Sequence, residues 1–392
     1  MKLFEYQAKE AFAKAGLTVP RGEVVTDAEG AAKVAAALGF PCVLKSQVLR
    51  GGRGKTGLIR LVGDAQEAFE IAERFFVSPY GVRKILVEEA VDIAREIYLS
   101  VTVDAASSKA LLLACAEGGV EIEELARTAP GKIVREYLDL DEGFSSFHAR
   151  NLACGLGLEG ELSKKFALAI ESLYKVFRSQ DAELAEINPL FVTKAGDLIA
   201  GDGKLSIDDN SMFRHGEWEP GRDYFESELD FEASKEGIPY LQFDGDISLM
   251  CAGAGLTTTV YDLIVDAGGT VANYLEFGGP NYRKSLRAME LCVRNRPNVI
   301  LIVTFGTIAR ADIMAKGIVE AIETLKPACP IVVCIRGTGE DEAAETLRAA
   351  GLDPLSDTEE AVGRAVALSR ADAHASAKRA AEVSAKGRGG AE

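Results

Sequence analysis

The sequence predicts an α/β protein of two domains, and three observations predict it. From Asp246 onward short apolar runs alternate with helix-length segments, the pattern of a doubly wound parallel sheet. Upstream, the stretch from Glu183 to Asn210 reads as two strands, Leu184 to Thr193 and Asp197 to Leu205, closed by the turn Lys194-Ala195-Gly196. Between them Glu217 to Glu236 carries eight acids and two bases, the composition of a boundary. At 392 residues the chain also exceeds what one ordinary core organises. The expected parts are a first domain over 1–215, a surface-hugging linker over 216–244, a second domain over 245–370 and a flexible tail over 371–392.

Composition narrows the function. Hydrophobic residues make up 47% and charged residues 27%, as in a soluble globular protein. With 44 basic against 60 acidic residues the net charge is -16, which speaks against nucleic acid or a membrane surface as partner. An anionic ligand must then be held by local backbone donors and a few placed cations. The opening MKLFEYQAKEAF lacks a signal peptide's apolar core, so a cytoplasmic location is expected. Seven scattered cysteines without a C-x-x-C pair read as reduced thiols, and the three histidines show no metal-ligand spacing.

In the first half, Phe4 to Ala15 and Ala28 to Leu38 have helical spacing and stop at Gly16 and Gly39. Cys42 to Ser46 is a buried strand carrying Lys45, which either snorkels to water or reaches for an anion. The loop Leu49 to Gly57 holds four glycines with Arg50, Arg53 and Lys55, a flexible cationic hairpin that can fold over phosphates. A strand Leu58 to Val62, a helix opened by the capping box Asp64-x-x-Glu67, and strands Lys84 to Glu89 and Arg95 to Val103 follow. Glu88, Glu89 and Glu96 are acids placed for an adenine amino group or a ribose. Glu121 to Arg127 and Leu162 to Arg178 read as amphipathic packing helices. On the hairpin Glu186 and Asn188 lie two apart and share a face, and Asp202 on the return strand can come opposite them. A few hard oxygen donors of this kind suit a magnesium-nucleotide site, and Pro189 interrupts the ladder beside them.

In the second half, four small-residue loops fall where strands end and helices begin: Ala252 to Gly255, Phe277 to Asn281, Phe305 to Arg310 and Arg336 to Gly339. In a parallel sheet this edge is where ligands bind, and open helix N-termini there favour a carboxylate or phosphate.

The blocks KSQVLRGGRGK, ILVEEAVDIAREIYLS, EGGVEIEELA and EINPLFVTKAGDLIAGDGKLSIDDN occur in that order over the first 215 residues. Together they resemble the ATP-grasp half of the succinyl-CoA synthetase β subunit. The resemblance implies an ATP-grasp fold followed by a flavodoxin-like CoA-ligase domain, in an ADP-forming carboxylic acid–CoA ligase. It implies ATP (or GTP) held by Lys45, Gly52, Arg53, Gly54, Glu88, Val91 and Glu96, with Mg2+ on Asn188 and Asp202. In the second domain it places the acid at Ala252, Gly306, Thr307, Ile308 and Arg336. A helix led by Gly278, Gly279 and Asn281 would face a phosphohistidine carried by a CoA-binding α subunit, in an αβ or α2β2 assembly. No catalytic residue is then expected on this chain.

Against the succinate enzymes, Ala252 replaces an asparagine, Thr307 a glycine, Gly278-Gly279-Pro280-Asn281 a glycine triplet and Arg336 an acid. The run Ala272 to Glu276, the loop Ala252-Gly253-Ala254-Gly255 and Arg336 are similar to the corresponding domain of ATP-citrate lyase and citryl-CoA synthetase. An arginine fork in place of a carboxylate favours an acid with an additional carboxylate or a hydroxyl-carboxylate pattern, which speaks against succinate and leaves malate, citrate or another acid beside it as candidates. A ligase that joins an acyl phosphate to an amine and a non-catalytic nucleotide sensor are the other readings. A dehydrogenase is disfavoured because no G-x-G-x-x-G follows a strand in the second half.

Overall fold

The chain folds as two units, Met1–Pro220 and the segment from Gly221 onward. The structure, a computed structural model, describes residues 1–49, 51–278, 283–307 and 309–371. The tail expected over 371–392 lies outside these residues from 372 on.

In the first unit, helix α1 (Glu5–Lys14) buries Ala8, Ala11 and Phe12. A four-stranded sheet is built from β1 (Gly22–Val25), β2 (Cys42–Ser46), β3 (Ile59–Val62) and β4 (Ile85–Glu89) in the order β1-β4-β2-β3, all antiparallel. Helices α2 (Ala28–Leu38) and α3 (Ala65–Phe76) pack on it through Ala31, Ala35, Ala68 and Ala72 against Leu44 and Val87. Small side chains let the helices approach closely. Asp64 caps α3 by accepting from the Glu67 N–H at 2.8 Å, while Glu67 accepts from Gly63 rather than from the cap residue itself.

A second antiparallel sheet runs in the order β10-β8-β5-β6-β7, with β9 on the other part of β8. Its strands are β5 (Ile93–Asp104), β6 (Lys109–Cys115), β7 (Ile133–Leu138), β8 (Ala182–Thr193), β9 (Leu198–Ala200) and β10 (Lys204–Ile207). Helices α5 (Ser146–Gly155) and α6 (Gly160–Ser179) cover it, and Leu152, Phe166, Ile170 and Leu173 join Phe12 and Leu112 in one core. Helix α4 (Ile122–Thr128) corrects the packing expectation, because none of its residues is buried. It lies on the rim of the cavity described below, where its first residues face ligand space rather than core.

The expected strand Asp197 to Leu205 is two strands, parted at Gly201-Asp202-Gly203. Ring packing causes the break. A Cβ on Gly201 would sit 2.2 Å from the Phe191 ring, and one on Gly203 2.7 Å from the fully buried Phe12. The Asn188–Pro189 peptide opposite is cis, and Pro189 accepts from the Gly201 N–H at 2.9 Å.

The stretch expected as a linker is divided between the units. Trp218 is buried in the first unit's core, whereas Glu228–Lys235 forms helix α7 and Tyr240–Gln242 forms β11 in the second. Its acids explain the difference: Asp230 closes a capping box with Ser227 and also accepts from Gln242, and Glu232 pairs with Arg287 and Arg294.

The second unit's sheet has the order β11-β13-β12-β14-β15, from β12 (Ile247–Ala252), β13 (Val271–Leu275), β14 (Val299–Gly306) and β15 (Ile331–Gly337). All its pairings are parallel except that of β11. Helices α9 (Ser285–Arg294), α10 (Ala311–Leu325) and α11 (Glu340–Ala349) share one face with α7. Helix α8 (Ala254–Asp266) and a last helix over 358–371 cover the other. This is the doubly wound α/β arrangement that the alternation implied. Among the described residues no helix is long and apolar enough to cross a membrane.

Gly203 gives a direct test of the ring packing beside Asp202. Gly203→Ala must displace the buried Phe12 and is expected to lower the unfolding free energy by about 1–3 kcal/mol, read from the denaturant midpoint. Gly131→Ala, where an added Cβ meets nothing within 4 Å, should leave the midpoint unchanged.

Candidate functional site

A cavity of about 650 Å3 in the first unit is lined by the glycine loop, by Gly119 to Glu123, and by Glu186, Asn188, Asp202 and Lys204. Of the residues expected to hold nucleotide, Gly52, Arg53 and Gly54 line it, together with Lys55. Asn188 and Asp202, expected to hold magnesium, line it too, so hairpin and loop do meet. Arg50 lies outside the described residues.

Lys45 and Glu88 sit behind this wall in a buried cluster of charges. Glu88 Oε1 lies 2.6 Å from Lys9 Nζ, and its Oε2 lies 2.8 Å from Lys45 Nζ. Glu5 Oε1 is 2.9 Å from both lysine ammonium groups, and its Oε2 lies 2.6 Å from Arg53 Nη1 as an ion pair without hydrogen-bond alignment. Arg53 Nη2 then donates to both oxygens of Asp202, at 2.9 and 3.0 Å. Lys45 also donates to the Gly201 carbonyl at 2.6 Å, so its three protons face three acceptors. Glu88 is 2% exposed and engages cations through its side chain. Half-buried Val91 follows β4, and half-buried Glu96 is on β5, its carbonyl accepting from Gly118 at 3.2 Å.

Burial and charge pairing compete at these groups, and which of them wins differs from one to the next. Burial alone would raise the Glu5 carboxyl, but Lys45, Lys9 and Arg53 pull it well below the usual carboxylate value. Burial would likewise lower Lys45, yet Glu5, Glu88 and Asp202 hold its pKa above normal. Asp202 is raised, first by burial and then by Glu5, against the pull of Arg53. Glu186 is raised chiefly by burial, although Lys204 and the Tyr98 hydroxyl, 2.9 Å from its Oε2, oppose the shift.

Among the described residues no three His, Cys, Asp or Glu gather as a metal-binding group. The oxygen donors that line the cavity are the Asn188 amide and the carboxylates of Glu5, Glu121, Glu123, Glu186 and Asp202, of which the hairpin supplies Glu186, Asn188 and Asp202. That set fits a small hard cation that keeps several waters and shares phosphate oxygens. The Asn188 oxygen accepts from Gly119 at 2.8 Å and its amide donates to Val120, which fixes the side chain at the cavity wall.

In the second unit the small-residue loops meet in pairs at the carboxyl edge of the sheet. Phe277 donates to the Cys251 carbonyl, and a Cβ on Gly278 would lie 2.9 Å from Ala252 Cα. Gly306 accepts from Thr338 at 2.7 Å, and a Cβ on Gly337 would overlap that same carbonyl. Thus Ala252 and Gly278 share one corner, and Gly306, Thr307 and Arg336 another. Arg336 donates from Nε to Glu340 at 3.1 Å and from Nη1 to the Ser356 carbonyl at 2.8 Å. Gly279, Asn281 and Ile308 lie outside the described residues, and with them the expected helix start.

Residues 2–192 match the family model described as an ATP-grasp domain, and residues 250–368 match that described as CoA-ligase. The chain is 62% identical over 366 residues to a subunit of ADP-forming sulfoacetate-CoA ligase from Bilophila wadsworthia, covering 93% of this chain and 98% of that one. It is 39% identical over 376 residues to the β subunit of ADP-forming succinate–CoA ligase from Ignicoccus hospitalis, covering 95% and 100%. The chain belongs to this family of ADP-forming acid–CoA ligases. Its fold is shared with ATP citrate lyase from Methanothrix soehngenii, at a TM-score of 0.73 and 21% identity over 90% of this chain and 95% of that one.

The relatives are subunits of a heteromeric ligase, and ATP-grasp ligases use ATP. What sequence reasoning missed in this ligase chain is the pair Glu5 and Lys9, which complete the charge cluster. Their signal was an acid and a base four apart on the buried face of α1, where charged residues are rare.

The raised carboxyl of Glu186 sets a pH test. The fold holds its proton more tightly than the unfolded chain does, so the carboxylate subtracts stability above its raised pKa and nothing below the usual carboxylate range. Glu186→Gln should therefore be more stable than the parent at pH 7, with the gain vanishing on acidification to about pH 3–4. Denaturant midpoints at the two pH values measure this.

Proposed function

We propose that the chain is the nucleotide-binding subunit of an ADP-forming sulfoacetate–CoA ligase, working with an α subunit that binds CoA. The observation that carries this reading is 62% identity to such a subunit over nearly the full length of both chains. Succinate, malate and citrate were the acids expected from sequence. Sulfoacetate keeps the carboxylate to be activated and replaces the second anion with a sulfonate.

In this reading the γ-phosphoryl group passes from ATP to a histidine nitrogen of the α subunit, and ADP departs. The acid's carboxylate oxygen takes the phosphoryl from histidine, and the CoA thiol then attacks the acyl carbon and expels phosphate. Such transfers need positioning and charge stabilisation more than covalent chemistry from the protein. Gly52 and Gly54 leave the loop backbone able to approach phosphates, and Arg53 and Lys55 supply positive charge at the cavity. Asn188 and Asp202 would hold Mg2+, which offsets charge on the phosphate oxygens when bound. Glu88, Val91 and Glu96 are kept as the adenosine side, with Glu88 acting through Lys45 rather than by touching the ligand.

For the acid, the Ala252 and Gly306 corners offer backbone donors, and Arg336 offers charge. A sulfonate is ionised at all ordinary pH values and presents three oxygens, which suits a guanidinium fork. Among the described residues nothing accepts from Arg336 Nη2, so one edge of that fork is open.

Coexpression with the α subunit, followed by ADP-release assays over sulfoacetate, succinate, malate and citrate, tests the assignment. Sulfoacetate should give the highest kcat/KM, and preference for another acid would overturn it. Arg336→Glu should lower kcat/KM for the acid about 10²-fold, roughly 2.7 kcal/mol, with affinity for an ATP analogue unchanged.

A further inference from the structure

The buried Glu5 is not needed to fasten α1 to the sheet. Lys9 on the same helix already reaches both oxygens of Glu88 on β4, at 2.6 and 2.8 Å. Glu5 nevertheless keeps a carboxylate whose side chain is 1% exposed, at a desolvation cost that only its partners offset. Two of those partners, Lys45 and Arg53, are cations assigned to the nucleotide.

How they are held is informative. Lys45 divides its three protons among Glu5, Glu88 and the Gly201 carbonyl. Arg53 divides its fork: Nη1 to Glu5 at 2.6 Å and to the Ser46 carbonyl at 3.1 Å, Nη2 to Asp202. Of these acceptors Asp202 keeps about a third of its side chain open, 32%, and lies with Arg53 on the cavity wall. An entering phosphate can therefore exchange with Asp202 at Nη2 while Nη1 stays fixed. Without Glu5, Nη1 would keep only the Ser46 carbonyl and lose the charged partner on that side of the fork.

We infer that Glu5 is a positioning residue for the nucleotide phosphates: it grips Arg53 by one nitrogen, and Lys45 beside it, so that the other Arg53 nitrogen is presented to the cavity. This rests on the assignment of that cavity to nucleotide. Glu5 touches no reacting atom and acts through Arg53.

The test uses the complex with the α subunit and a non-hydrolysable ATP analogue with Mg2+, titrated by calorimetry. Glu5→Gln should weaken binding about 10- to 50-fold and raise the KM for ATP, while the KM for the acid stays within twofold of the parent. Because Glu5→Gln leaves a buried cation unpaired and can fail to fold, Glu5→Gln/Lys9→Met is made as well. That pair keeps two acids, Glu88 and Asp202, against two bases, Lys45 and Arg53. It should recover the parent's melting temperature but not its nucleotide affinity. Parental affinity in either variant would overturn the proposal and leave Glu5 a structural residue. Arg53→Met separates the underlying reading: parental affinity there would mean that the cavity does not bind nucleotide phosphates through this arginine, whatever Glu5 does.

Discussion

Charge balance in one buried cluster constrains the whole first unit. Glu5, Glu88 and Asp202 face Lys9, Lys45 and Arg53, three acids against three bases drawn from α1, β2, β4, the glycine loop and the Gly201 to Gly203 turn. Taking each ion out of water costs several kcal/mol, and mutual attraction offsets this only while every partner is present. The cluster therefore fixes five chain segments relative to one another more tightly than apolar packing would. Apolar contacts tolerate sliding, whereas an unpaired buried charge does not. Alanine-rich helices pack behind it, so the cluster rests on a rigid support.

If the proposed sites hold, the two units would handle anions by different means, as a chain of net charge -16 requires. A triphosphate approaching an acidic protein needs concentrated positive charge, which the first unit supplies from Arg53 and Lys55 around a cavity that also holds carboxylates. A small organic acid needs less. In the proposed reading the second unit would meet it at strand ends where Gly278 lies against Ala252 and Gly337 against Gly306, backbone against backbone with no room for side chains. Close approach leaves peptide dipoles at the sheet edge, and one arginine, itself tempered by Glu340, adds charge. Different acids can then be accommodated by a few side chains on that edge while the phosphate chemistry is untouched.

Much of this was legible in the sequence because the periodic signals are local. The strand around Lys45, both early helices and the alternation after Asp246 follow from spacing and stop at glycines. Strands β1, β6 and β7 and helix α5 were not read. Gly22–Val25 is too short to show a period, and Ile133–Leu138 carries Arg135 and Glu136 on a strand exposed along one side. Glu186, Asn188 and Asp202 of the hairpin do line one cavity, but the split of the return strand was not legible, since the rings of Phe191 and Phe12 that force the break are distant in sequence. Glu88 shows the same limit. A strand ending in two acids signals a site, yet its direction, toward Lys9 and Lys45 rather than into the cavity, depends on what α1 brings to it.

An ion pair at the mouth of a cavity also selects its ligand. Opening the Arg53–Asp202 contact with a bare anion would leave Asp202 only the Gly203 N–H, at 2.7 Å, and opening it with a bare cation would leave Arg53 Nη2 without its acceptor. Each would exchange one favourable contact for another and expose a partly desolvated charge. A ligand that carries phosphate oxygens and a bound cation together replaces both sides of the pair at once. In the proposed reading such a pair would favour a metal-bound nucleotide over free phosphate, before any contact with the base. Its effectiveness depends on the fixed end of the fork, because an arginine free to swing could satisfy a lone anion elsewhere.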